Sequence, residues 1–211
     1  MPLQTQIPLE TWISATWDEY VTLADSPMSA NLKGYYHNGR MRFEPISTGS
    51  DHSTDHALIL FAVSFFIAQR QIQATAKNAC SYRKTGCDEF QPDASYYVGL
   101  NANVIPRGTR VIDLDLYPGP DLVIEIGDTS LSDDKGEKRL LYEELGIPEY
   151  WIIDVQQCQI IAFAIAPDGS SRRIHESQVL PGLRLEILEQ ALQRSRQETQ
   201  SLTVAWVMQQ F

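Results

Sequence analysis

The chain has 211 residues, 43% of them hydrophobic, enough to bury a sizeable core. A formal net charge of −10 argues against non-specific polyanion binding over the whole surface, though not against a local basic groove. Cys80, Cys87 and Cys158 are odd in number and form no CxxC, and no apolar run reaches membrane-spanning length. A disulfide framework, a structural zinc site and a transmembrane helix are therefore not expected.

In chain order, the opening MPLQTQIPLETW lacks the basic start and apolar core of a signal peptide. The expectation is a cytoplasmic protein with no membrane partner. Leu9 to Leu23 spaces Trp12, Ile13, Trp17, Tyr20, Val21 and Leu23 as an amphipathic helix whose aromatic stripe suits core packing. Tyr35 to Pro45 predicts two short strands around Asn38-Gly39, a hairpin signal. Gly49 to Asp55 reads as a polar loop holding His52, with His56 opening the next helix. Either histidine could be a ligand or a phosphate contact, but a lone histidine beside a helix start is more often a cap or packing residue. Ala57 to Ala68 predicts a helix buried on most sides, and Gln69 to Asn78 its polar end. Arg70, Lys77, Arg83 and Lys84 cluster in sequence, as do Arg172 and Arg173; most such clusters are solvated faces. Within Gln91 to Gly99, Pro92 suits strand entry, Asp93 begins the strand, and Tyr96, Tyr97 and Val98 favour β structure. Val111 to Tyr117 predicts a short strand or extended connection.

Pro120 to Asp154 organises the rest. Leu122, Val123, Ile124 and Ile126 form an apolar run with Glu125 set into it, the pattern of a strand covered on both faces. A carboxylate there needs a proton, a cation or a metal. A polar loop from Gly127 to Asp133 follows, then a helix for which Asp134 and Glu137 resemble a capping box. Gly146 and Pro148 stop it, and YWIID at 150–154 is the next strand, so two strands can lie parallel. Lys138, Leu141, Tyr142 and Leu145 share one helix face, which brings Lys138 towards the core and towards Glu125. A structural Glu–Lys pair, or a lysine that snorkels to solvent, explains the same spacing.

Gln159 to Ile165 predicts a strand, Asp168-Gly169 a turn, and Arg172 to Glu176 a returning strand. Pro181-Gly182 breaks the chain. From Glu189 to Phe211 a C-terminal helix is expected, packed on the body or on a second subunit. The whole reads as one α/β domain, residues 1–211, with its core at about 10–190.

Asp121 and Glu125 lie on one strand roughly 13 Å apart, too far for one magnesium ion held at about 2.1 Å. Glu125 needs a partner from a neighbouring strand, and Asp93 suits best. Asp93, Glu125 and Lys138 make two acids and one base around an oxygen-ligand cation, a set suited to phosphodiester hydrolysis.

The segments WDEY, YYHNGRMRFEP, GSDH, QPDASYY, PDLVIEIGDTSL, DDKGEKRLLYEELGIPEYWIIDV and LPGLRL together resemble the Uma family of restriction-endonuclease-like proteins. That family belongs to the PD-(D/E)XK nuclease superfamily. The likeness spans about residues 10–190. It implies a restriction-endonuclease-like fold: a central mixed β-sheet flanked by helices, with an N-terminal helix and hairpin and a C-terminal helix. It also implies a Mg2+- or Mn2+-dependent DNA endonuclease, for which a homodimer is a natural way to cut both strands. On this resemblance Asp93 matches the second-strand acid and Glu125 the acid of the (D/E)xK motif. Gly127 stands where that motif has lysine, and Lys138 fits a migrated lysine. Asp121 matches a further family acid, a weaker metal-ligand candidate that could instead brace the strand entry. His52 matches the family histidine before the first core helix, a weak substrate-binding candidate. Two rivals remain open: a nuclease-fold binding module without cleavage, and a hydrolase of small phosphodiesters.

Overall fold

A computed structural model of the protein describes residues 7–46, 49–127 and 130–211. The strand β1 (Ile13–Ser14) precedes helix α1 (Trp17–Ala24), a 3-10 turn (Pro27–Ser29) and the hairpin β2 (Leu32–His37) and β3 (Arg40–Pro45). Helix α2 (Ser50–Gln69) leads to β4 (Ala74–Asn78), β5 (Ser81–Lys84), β6 (Asp88–Phe90), β7 (Ala94–Val98), a 3-10 turn (Gly99–Asn101) and β8 (Val111–Asp113). Then come β9 (Leu122–Gly127), α3 (Leu131–Lys135), α4 (Glu137–Glu144), β10 (Glu149–Asp154), β11 (Gln159–Ile165) and β12 (Ser171–Ile174). The helices α5 (Leu185–Ser195) and α6 (Gln200–Val207) close the chain.

The strands form two mixed sheets. One runs β12-β11-β10-β9-β7-β4, with β9 and β10 parallel and joined by α3 and α4. The other runs β1-β3-β2-β6-β5-β8. All six residues of β9 are buried, as an interior strand covered on both faces requires. Leu122, Ile124 and Ile126 enter a core shared with α2 and α5, beside Phe66, Trp151 and Leu188. Val123 faces the other way, into an aromatic core with Tyr35, Tyr82, Phe90, Tyr97, Tyr142 and Tyr150. Glu125 shares that second face by strand alternation. The other sheet, through Tyr35 of β2, and α4, through Tyr142, therefore enclose it.

Several expectations shift by a few residues. The N-terminal helix starts at Trp17, not Leu9, because Thr16 and Glu19 form a capping box that ends the preceding strand. His52 is not in a loop: α2 begins at Ser50 and buries His52 in its first turn. Asp134 is not a cap but a buried residue inside α3. The helix is broken at Gly136 (φ −104°, ψ −104°), which starts α4 afresh. The C-terminal helix is two helices, parted between Arg196 and Thr199. Asn38 and Gly39 take positive φ, 48° and 70°, as the tight β2–β3 turn demands. Of the expected polar loop at 127–133, residues 128–129 lie outside the described residues, as do residues 1–6 of the opening segment. Among the described residues no helix is long and apolar enough to cross a membrane.

Candidate active site

Three segments bring acids and bases to one buried point. Asp93 immediately precedes β7 and holds the neighbouring strand: its Oδ2 accepts a hydrogen bond from the Ile126 amide at 2.8 Å. Ile126 follows Glu125, so the two carboxylates flank one stretch of β9 backbone. The Asp93 Oδ1 is paired with the Lys33 ammonium and lies 3.6 Å from His52 Nε2. Burial alone would raise the Asp93 carboxyl; His52 and Lys33 outweigh it and hold the group well below the usual carboxylate range.

Glu125 is 2% exposed. Its Oε1 accepts from the Tyr142 hydroxyl at 2.7 Å and the Tyr35 hydroxyl at 3.3 Å, with Lys138 Nζ at 3.9 Å. Burial pushes this carboxyl well above its usual range; Lys138 offsets part of that, while Asp93 and Asp134 add to it.

Lys138 points inward, as the stripe with Leu141 and Tyr142 requires, and is 1% exposed. Glu125 is not its nearest counter-charge. Its Nζ stands 3.0 Å from Asp134 Oδ1 and 3.2 Å from both oxygens of Glu44, and 4.5 Å above the Tyr35 ring. Burial lowers its proton affinity, but Glu125, Asp134 and Glu44 raise it far more, so the amine stays an ammonium. Such a group positions and neutralises; it does not accept a proton.

Glu44 and Lys33 do not stand out in the sequence, and Asp134 stands out there only as a helix cap. The hairpin explains two of them. Lys33, Tyr35 and His37 on β2 pair with Glu44, Arg42 and Arg40 on β3. Tyr36, Met41 and Phe43 pack with Tyr20 of α1. The polar face of the hairpin, ordinarily the solvent side, is the one that covers the site. Arg42 extends the network, with Nε 2.7 Å from Glu44 Oε1 and 3.3 Å from Asp133 Oδ2, while Trp12 Nε1 donates to Asp133 Oδ1 at 2.5 Å. A cleft of about 510 Å³ opens over Arg42, Asp133 and Glu137 at this end of the network.

Gly127 explains the missing strand lysine. A Cβ built there would lie 2.8 Å from Asp134 Oδ2 and 3.4 Å from Leu131 Cα. The space that a side chain would need is filled by α3, and Asp134 of that helix meets Lys138 instead.

Asp121 is not brought into this cluster. It stands before the far end of β9, with Oδ2 accepting from the Val98 amide at 2.7 Å and Oδ1 from the Asn101 side chain at 3.0 Å. These bonds brace the strand entry. His52 is brought in, beside Asp93, while His56 stacks edge-on with it at 6.1 Å.

Among the described residues, Glu44, Asp93, Glu125, Asp133 and Asp134 meet Lys33, Arg42 and Lys138 as permanent cations. With every carboxylate ionised, the cluster carries two excess negative charges. That excess and its oxygen donors match a hard divalent cation. Among the described residues no three His, Cys, Asp or Glu side chains alone form a metal cage.

No curated protein matches the sequence. A crystal structure from Anabaena variabilis, titled as a putative nuclease belonging to DUF820, is similar in fold: TM-score 0.59, 20% identity, covering 84% of this chain and 98% of that one. The expected mixed α/β, restriction-endonuclease-like fold is thus borne out. The Uma2 family, described as "Putative restriction endonuclease", matches residues 17–205, and this chain belongs to that family.

Proposed function

We propose that the protein is a divalent-metal-dependent endonuclease that hydrolyses phosphodiester bonds of DNA. One observation carries this reading: Asp93, Glu125 and Lys138, from three separate segments, converge in a buried cluster in which carboxyl groups outnumber permanent cations. Asp93 and Glu125 would hold Mg2+ or Mn2+. The ion, when bound, supplies charge neutralisation at the phosphate and a lowered pKa for water. Lys138, fixed as an ammonium by three carboxylates, orients an incoming oxygen and balances developing negative charge. Tyr35 and Tyr142 hold the Glu125 carboxylate in one orientation through its Oε1. Lys33, paired with Asp93, would share that carboxylate with the ion. Two copies acting together would cut both strands of a duplex.

A second reading, a nuclease-fold binding module without cleavage, is favoured by the Lys33–Asp93 pair, which already satisfies one would-be ligand. Nicking of supercoiled plasmid in Mg2+ separates the two. The endonuclease reading expects cleavage by the wild type and at least a 100-fold loss in Glu125→Gln, consistent with removal of a group that acts in the transition state. Cleavage untouched by Glu125→Gln and Lys138→Gln would discard it. Absence of cleavage with DNA binding retained would support the binding module.

A further inference from the structure

We propose that a pocket at the edge strand β4 binds a phosphate of the nucleic-acid backbone and aligns it with the buried cluster. This rests on the nucleic-acid reading above but on different residues. The chain has 27 Asp and Glu residues, yet none falls in 56–87 or in 94–112. These two acid-free stretches meet where β4 pairs with β7, Thr75 opposite Tyr97 and Lys77 opposite Ser95. A cavity of about 620 Å³ lies there, lined by Thr75, Lys77, Asn103 and Arg107 among others.

The pocket is built from donors. Lys77 and Arg107 bring positive charge, Thr75 a hydroxyl and Asn103 an amide, the set that reads phosphate oxygens without reading bases. Neither Lys77 nor Arg107 forms an ion pair with any described residue, whereas Lys33, Arg42, Arg83 and Lys138 all do. Arg107 sits on a fixed turn: Thr109 Oγ1 donates to the Pro106 carbonyl at 2.9 Å, and Gly108 takes φ +87°. Asp121, at the Val98 end of β7, already spends both oxygens on Val98 and Asn101. On a chain of net charge −10, an unpaired cationic pocket is where a polyanion can settle.

Position supports the same assignment. Asp93, Ser95 and Tyr97 share one face of β7, and Lys77 and Thr75 lie opposite the last two. Tyr97 is four residues from Asp93, roughly 13 Å of strand. That corresponds to about four nucleotides of duplex rise at 3.4 Å each. A backbone phosphate held at Lys77 and Arg107 would set the distance from that anchor to the cluster.

The test is binding of fluorescein-labelled duplex DNA by fluorescence anisotropy in EDTA, where neither metal nor cleavage takes part. The double variant Lys77→Ala/Arg107→Ala is expected to bind at least 10-fold more weakly at low salt. The slope of log K against log salt should flatten by about 1, the change for one phosphate no longer neutralised. Arg172→Ala/Arg173→Ala, on the opposite edge strand β12, should bind like the wild type. No DNA binding by the wild type, unchanged binding by the pocket variant, or an equal loss in the β12 variant would each overturn the proposal. Loss of binding in the pocket variant, from a wild type that binds but does not nick plasmid, would leave the pocket standing and the endonuclease reading refuted.

Discussion

Asp93 and Glu125 flank one stretch of β9 backbone, yet their charges are controlled in opposite directions. Both are buried, at 5% and 2% exposure, so burial raises both. Asp93 escapes because Lys33, His52 and the Ile126 amide all address it directly. Glu125 receives two phenols and an ammonium at 3.9 Å that three closer carboxylate oxygens already hold. A buried carboxylate is thus governed by how many donors it does not share, rather than by depth.

The largest way to disturb this contrast is to remove the shared cation. Lys138→Met would leave Glu44, Glu125 and Asp134 facing one another in the interior, at a cost of about 3–5 kcal/mol. Urea unfolding measures it. Lys33→Met should cost less, about 1–3 kcal/mol, because Asp93 keeps the Ile126 amide and His52 as partners. Equal losses in the two variants would mean that the cations are not partitioned as described. Gly127→Ala tests the other side of the site: with its new methyl against Asp134, a loss of about 1–3 kcal/mol is expected in the same assay.

The gentlest change is in pH dependence. A carboxylate whose folded pKa lies above its unfolded value binds more protons in the native state between the two. Stability therefore falls as pH rises from the usual glutamate value of 4.5 through the raised native one. Glu125→Gln should remove that part of the decline, seen as the difference between wild-type and variant urea midpoints across this range. Asp93 has the reverse sign. Its contribution is present above the usual aspartate value of 3.8 and fades as pH falls below it. Asp93→Asn should thus flatten only the acid limb. A variant that altered the other limb would break the comparison.

Much of this was legible in the sequence because burial patterns are local. The strand at 122–126 announces itself by an apolar run, and Glu125 by interrupting it; Gly127, read as loop, extends the strand by one residue. Lys138 was placed inward by the i, i+3, i+4, i+7 spacing with Leu141, Tyr142 and Leu145, and α4 does bury it. Its partners were not legible. Glu44 and Lys33 lie on a hairpin whose alternation is clean, but alternation does not say which face is covered. Here α1 takes the apolar face and the site takes the charged one. A face bearing Lys33, Tyr35, Arg42 and Glu44, opposite an apolar face with its own helix, was the available signal. Asp134 was misread because Asp followed three residues later by Glu mimics a helix start. Its buried contacts with Ser130 and Lys138 come from the tight approach of α3 to Gly127.

The account stands on one cation being shared by the acids from β7's entry and from β9, with Asp121 outside. Titration of the protein with Mn2+, followed by loss of the free-ion electron paramagnetic resonance signal, addresses this directly. The predicted result is one tight site per chain, abolished in Asp93→Asn and in Glu125→Gln and retained in Asp121→Asn. Mn2+ binding that survives both of the first two substitutions, or that is lost in the third alone, would contradict it.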